Sequence, residues 1–308
     1  MVYNPSHRQL IQSRVNGYWQ MDLSYCPNGA SLCTTNNGNI RQIVLNDTMA
    51  TRTQNFSYDS ANRLQTAAEA NGFSQTYGYD QYSNRWITPT SSLPGGNFQP
   101  TSAAWFDAAT NRLQSAVGNT YFHDAAGNMI AEAATTFAYD AEGRMIRSTI
   151  PYATGTVITQ YFYDGEGRRV KKQNQALGKT LYLYDAFGRL AVEFPEQALA
   201  PCTTCYLYTD QVNTTRLVLD QGGTVMKRAD HMPFGEEILN GAPWANGRGS
   251  LYADNNPVRQ QFTGYLRNEP YEWALDFANA RYYRRSNGRF TSPDPLLNSG
   301  RPWMPQSW

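Results

Sequence analysis

The residues of this 308-residue chain best placed to do chemistry are two carboxylates near its end, Asp276 in "ALDF" and Asp294 in "SPDP". Two carboxylates close enough to share a proton act as base and acid in one site, the chemistry of an aspartyl hydrolase. Arg281 is their candidate charge partner. A structural reading of the same three residues is favoured: each carboxylate caps a turn and Arg281 pairs with one of them. The three histidines, His7, His123 and His231, are scattered and lack metal-ligand spacing. His123 stands where a repeated tyrosine would, so it reads as a packing residue, and His231 reads as a surface or turn residue. The cysteines form two local pairs, Cys26/Cys33 and Cys202/Cys205. Incidental loop thiols or a local disulfide is favoured over zinc, which needs four ligands in one place. No nucleophile elbow, phosphate loop or dinucleotide fingerprint occurs, and no cofactor is expected.

Composition narrows the classes. Formal net charge is +1, so no global field attracts nucleic acid or an anionic membrane. Charged residues make up 17% and tyrosine occurs 21 times, a composition of strands and tight turns rather than long helices. No apolar run is long enough to span a membrane, and the opening "MVYNPSHRQLIQSRVNG" carries no visible secretory signal. That opening does not read as a domain edge, so the chain is expected to be a piece of something longer. Asn46, Asn55 and Asn213 sit in glycosylation sequons.

The elements that would position these residues are announced by a repeat. "YDSANRL" (Asp59), "YDQYSNRW" (Asp80), "FDAATNRL" (Asp107), "HDAAGNM" (Asp124), "YDAEGRM" (Asp140), "YDGEGRR" (Asp164) and "YDAFGRL" (Asp185) recur at spacings of 16 to 27 residues. Weaker copies lie at 34–40, at Asp210 and at Asp220. Gly or Asn three residues after Asp is the pattern of a hairpin reversal, a type I turn followed by a residue at positive φ. Asp80 and Asp107 have Asn four residues on, which predicts a loop one residue longer. In the hairpin, Asp140 faces Arg144, and the residue after Arg (Leu64, Leu113, Met145, Leu190) falls opposite the last aromatic. Arg169 breaks this pattern. Aromatics one and three places before Asp share a strand face. The reading is all-β: a continuous, curved, mainly antiparallel strip of hairpins, with 90–100, 148–156 and 193–205 as loops between them.

The "YDxxGR" units, followed by the segments 206–238 and 259–296, resemble a Rhs/YD-repeat protein with a Rhs repeat-associated core. "RQQFTGYLRNEPYEWALDFANARYYRRSNGRFTSPDPL" matches the core pattern at Phe262, Thr263, Gly264, Leu275, Asp276, Ala280, Arg281, Tyr282, Tyr283, Gly288, Arg289, Phe290, Ser292, Asp294 and Pro295. The family includes bacterial Rhs polymorphic toxins, the B and C components of insecticidal toxin complexes, and teneurins. The resemblance implies a YD-repeat shell segment at 1–205 (repeats clearest at 34–193), the core at 206–296 and a truncated tail at 297–308. It implies part of a hollow β-shell with the core at the C-terminal end. The expected function is structural, encapsulating and delivering a C-terminal toxin absent from these residues. Expected partners are the enclosed toxin polypeptide, further YD-repeat segments and delivery-apparatus proteins, with a secreted or cell-surface location. In several members the core is an aspartyl autoprotease, which would use Asp276, Asp294 and Arg281. Asn268 stands where that core carries an acidic residue, and 268–274 reads as a short insertion, both of which tell against cleavage. A cell-surface adhesion or carbohydrate-binding module is the third reading.

Overall fold

The computed structural model describes residues 1–30, 33–88, 100–114, 120–153, 155–196, 204–241, 248–253, 257–267 and 275–294. Among them every regular element is a β-strand or a single 3₁₀ turn, and all strand pairs are antiparallel. Among the described residues the strip forms two eight-stranded meanders in chain order, one from Val2–Tyr3 to Arg85–Ile87, the other from Tyr121–His123 to Leu190–Pro195. Two small sheets follow: three strands from Cys205–Thr209 to Val225–Arg228, and four from Leu266–Arg267 to Arg289–Phe290.

Chain contacts divide these elements into two compact units. The first comprises Met1–Gly78, Arg85–Ser102 and Cys202–Pro257; the second, Tyr79–Asn84, Ala103–Pro201 and Val258–Trp308. The core-like segment 206–296 therefore contributes to both. In the first unit Leu10, Trp19, Met21, Leu23, Ile43 and Leu45 of the meander bury against Leu217 and Leu219 of the three-stranded sheet. Each such side chain contributes about 1.5–3 kcal/mol by leaving water. In the second unit, Tyr161 of the meander meets Tyr282 of the four-stranded sheet, ring centres 5.0 Å apart.

The reversals follow one template. At Asp164 the backbone amide donates to Arg168 O, the Gly167 amide to Asp164 O, and the Glu166 and Arg168 amides both to Asp164 Oδ1. Arg168 Nε then donates to Asp164 Oδ2 at 2.8 Å. Asp59 and Asp140 repeat the set with Arg63 and Arg144, each at 2.7 Å. Burial raises the Asp164 carboxyl, but bonds from the Arg168 side chain and backbone outweigh it and leave the group below its ordinary range. The residue three after Asp lies at positive φ in Asn62, Ser83, Gly127, Gly143, Gly167 and Gly188. At Asp107 the positive φ falls on Asn111, four residues on, and the longer loop appears as expected. At Asp80 it does not. Ser83 takes the left-handed position, while Asn84 is buried and its amide side chain bonds Asp80 in place of an arginine. The weak copy at 34–40 forms no hairpin; it lies in the long connection between Trp19–Ser24 and Gln42–Asn46. The copies at Asp210 and Asp220 do form hairpins.

Register agrees with the spacing argument: Tyr58 faces Leu64, Tyr139 faces Met145, and Tyr184 faces Leu190. A tie between hairpins was not read from the sequence. The tyrosine before Asp59, Asp140, Asp164 and Asp185 reaches back to a carbonyl of the preceding hairpin or loop: Tyr58 to Ile40, Tyr139 to Met129, Tyr163 to Met145 and Tyr184 to Arg169. The expected loop at 148–156 is instead a long hairpin, Met145–Tyr152 paired with Gly155–Tyr163. Pro151 is tolerated because it sits next to the reversal, at the end of the ladder. In the expected loop 193–205, residues 193–195 close a strand and 197–203 lie outside the described residues, as do 89–99 of the expected loop 90–100. Cys26 and Cys33 form a disulfide, as the local-pair reading allows. Cys205 is also disulfide-bonded, while Cys202 lies outside the described residues.

Gly143 sits at φ 74° with only the Asn128 side-chain oxygen within ordinary contact of an added Cβ. Gly143→Ala should therefore cost about 1 kcal/mol through backbone conformation alone. Urea denaturation of the two proteins measures it; an unchanged midpoint contradicts the turn template.

Candidate functional site

In the second unit, hairpin tips and the four-stranded sheet line a cavity of about 730 Å³ that includes Asp294. The last described strand builds one wall by extending the hairpin network: the Met129 amide and the Tyr139 hydroxyl both donate to Thr291 O, at 2.8 and 3.3 Å. Arg289 reaches from this strand to Asn84 Oδ1 at 2.6 Å and to Asn111 O at 3.4 Å. Opposite, Arg112 donates to the carbonyls of Asp124 and Ala125. His123 lines the same cavity. Burial, then the charges of Arg112 and Arg289, pull its pKa down to about 4, with Asp124 opposing weakly. The histidine is thus a neutral strand residue in a locally positive setting. His231 sits at a turn, as one of its two expected roles has it, but not at the surface. It is buried at 5% exposure and bridges Glu237 beside the Met232–Glu236 turn.

The three residues singled out from the sequence have separate surroundings. Asp294 pairs with Arg281 Nη2 at 3.2 Å, and the Arg281 guanidinium lies 3.8 Å from the Phe290 ring centre. Burial lowers the Arg281 pKa against the opposing pull of Asp294 and Tyr265. Asp276 caps no turn. It sits in mid-strand, Leu275–Ala278, fully buried, opposite Arg267 on one side and Tyr283 on the other. Arg267 Nε approaches one of its oxygens at 3.4 Å and Arg285 Nε the other at 3.5 Å. Two guanidiniums flank this one carboxylate and tie Arg267 and Asp276 of neighbouring strands to Arg285 of the following turn.

Two arrangements escaped sequence reasoning. Arg169, the residue that breaks the repeat, is fully buried in an aromatic cage. Its guanidinium stands 4.0 Å from the Phe277 ring and 4.5 Å from Tyr182, and its Nη1 donates to Tyr282 at 2.8 Å. Having Arg where a repeat expects Leu or Met was the available signal. In the first unit, Arg248 holds Glu69 and Asp230 at 2.8 and 2.9 Å, and Arg216 holds Asp210 and Asp230 at 2.9 and 3.3 Å. Arg52 and Tyr252 share Asp47, and after the cost of burial these bonds lower that carboxyl to about 2. Such buried networks fix one arrangement more than they add net stability.

The sequence model of one family, the Teneurin YD-shell, matches residues 31–192. No curated protein matches the chain. Among solved structures, the TcdB2-TccC3-TEV crystal structure is similar over 99% of this chain and 18% of its own, at 15% identity and TM-score 0.53. TcdB2-TccC3 covers 90% of this chain and 17% of its own at 14% identity and TM-score 0.45. A Photorhabdus luminescens Tc holotoxin pore covers 94% and 17% at 13% identity and TM-score 0.44. The chain thus spans less than a fifth of the length of these structures, and the first of them shares its fold.

His123 gives the site a pH signature. Its folded pKa is about 4, against about 6.5 when unfolded. As pH falls below 6.5 the unfolded chain takes up a proton that the folded site refuses, so stability drops between pH 6.5 and 4 and levels off below. His123→Gln should flatten that slope in urea melts across the window. An imidazole NMR midpoint near 6.5 in the folded protein would refute the assignment.

Proposed function

The chain belongs to the Teneurin YD-shell family, and on that premise we propose that it is a wall segment of a β-shell that encloses and delivers a polypeptide cargo. The observation that carries this reading is the lateral tie of successive hairpins within a meander, through strand pairing and, at Asp140, Asp164 and Asp185, through the tyrosine hydroxyl. A unit that bonds its predecessor in the same way each time tiles a wall of any length. The segment resembling a Rhs core supplies the small sheets, which hold one face of each meander by buried charge and aromatic contact. The cargo class, a toxin polypeptide, follows from the Rhs resemblance, as does a secreted or cell-surface setting. Further YD-repeat segments and delivery proteins would complete the assembly. In this reading the chain divides into a YD-repeat wall at 1–205 and a core at 206–296.

Asp276, Arg281 and Asp294 act in this account as clamps of the four-stranded sheet rather than as catalysts. What supports that is the private guanidinium partner of each carboxylate.

The test extends the chain at both ends with its natural flanking sequence. Electron microscopy should reveal a hollow particle, and the downstream polypeptide should resist added protease until the particle is unfolded. A solid or open particle with freely digested cargo would defeat the shell reading. Self-cleavage of the extended chain that Asp294→Asn abolishes would overturn the clamp assignment and make the core an autoprotease.

A further inference from the structure

One face of the second meander is taken up by packing, with Tyr161, Arg169 and Tyr182 buried on it. The opposite face is open and apolar. Register places Phe162 beside Lys171, Lys171 beside Leu181, and Leu181 beside Phe194, a single row across four strands. Leu183 and Val192 form the adjoining pair. Phe162, Leu181, Leu183, Val192 and Phe194 are 38–54% exposed. The first meander shows that a strip of this kind does not require such a face. Its corresponding rows are polar: Arg14–Gln20–Asn46–Thr51, and Ser24–Gln42–Asn55. Contiguous exposed apolar surface marks a binding face.

Charge on this face is mainly positive. Lys171 lies within the apolar row, its ammonium 3.8 Å from the Phe162 ring centre. Lys179 is two residues from Leu181 on the same strand, and Arg147 stands opposite Gln160, two residues from Phe162. Among the described residues the nearby carboxylates are directed elsewhere. Glu193 lies on the packed face opposite Tyr182, and Arg259 holds it. Glu142 and Glu166 pair with Arg144 and Arg168 at the hairpin tips. Glu196, beyond the last strand, is the exception: it stands opposite Lys179 and accepts from the Lys179 amide.

We propose that this open face docks an acidic, apolar-rich polypeptide segment in extended form, an inference that rests on the shell reading and names its cargo chemistry. A row at sheet pitch selects composition rather than one sequence, which suits a poorly folded chain. Lys171 and Arg147 on this face set the sign of the partner, while Lys179 stands opposite Glu196. Among the described residues the strand Leu190–Pro195 is an edge of the meander, and a sheet edge presents alternating donors and acceptors that an extended polypeptide reads and a lipid surface does not.

The probes are two labelled 20-residue synthetic peptides with the same Leu and Phe content, one spaced by Asp and Glu, the other by Lys. Fluorescence anisotropy with the full chain should show saturable binding of the acidic peptide, at least tenfold tighter than its basic twin. Lys171→Glu combined with Arg147→Glu should weaken it at least tenfold, as should Leu181→Ser combined with Phe194→Ser. Unfolding midpoints of both variants control for folding. Equal binding of the two peptides, indifference to both variants, or a preference for phosphatidylserine vesicles that peptide does not displace would overturn the inference. A particle that encloses cargo yet ignores these substitutions sinks the inference and keeps the shell. Peptide docking by a chain that builds no particle keeps the docking face and sinks the shell.

Discussion

The structure depends on one constraint: an aspartate that holds the backbone amides of a reversal while the third residue after it goes left-handed. At Asp140, Asp164 and Asp185 one carboxylate oxygen receives two amides ahead of it, and the turn closes with a Gly amide on the Asp carbonyl. That geometry fixes which residues face one another on the flanking strands. A shift of one residue would turn every aromatic to the wrong face. The aspartate therefore sets register, and register decides which face of the meander is buried.

Burial then recruits polar groups in an unusual proportion. Arg52, Arg169, Arg248 and Asp276 are all essentially inaccessible to solvent. Arg248 and Arg169 are held by partners from distant sequence, Glu69 and Tyr282, while Asp276 is held by Arg267 and Arg285 nearer in the chain. A buried charge with its partner removed costs several kcal/mol, so these contacts penalise any misplacement of the small sheets on the meanders. Hydrophobic burial supplies the driving force and the ion pairs select the arrangement.

The local half of this fold was legible in the sequence. Spacing alone gave the Asp-to-Gly reversals, the Asp140–Arg144 pair and the facing of Tyr58 with Leu64, because these contacts lie within a few residues of one another. What escaped was the contest between neighbours and the long-range packing. Ser83 rather than Asn84 turns left-handed because Asn84 has a burial role. Residues 148–156 form strands because a Pro next to a reversal costs no interior ladder bond. Arg169 could be seen as an exception, but its cage draws on Phe277 and Tyr282, more than a hundred residues away. At the candidate site, Arg281 was expected to pair with one of the two carboxylates, and it pairs with Asp294. Asp276 was expected at a turn, and its place between Arg267 and Arg285 needed the strand register.

Function follows from repetition of a tie rather than from one reactive centre. Each hairpin is complete in itself and bonded to its predecessor, so the wall tolerates irregular spacing between repeats while its bonding stays constant. The most direct measurement is amide hydrogen exchange by NMR in the wild type and in Asp164→Ala. The account requires slow exchange of the Glu166, Gly167 and Arg168 amides in the wild type, and fast exchange confined to that hairpin and the strands beside it in the variant. Fast exchange at those amides in the wild type, or no change on removing the carboxylate, would contradict it.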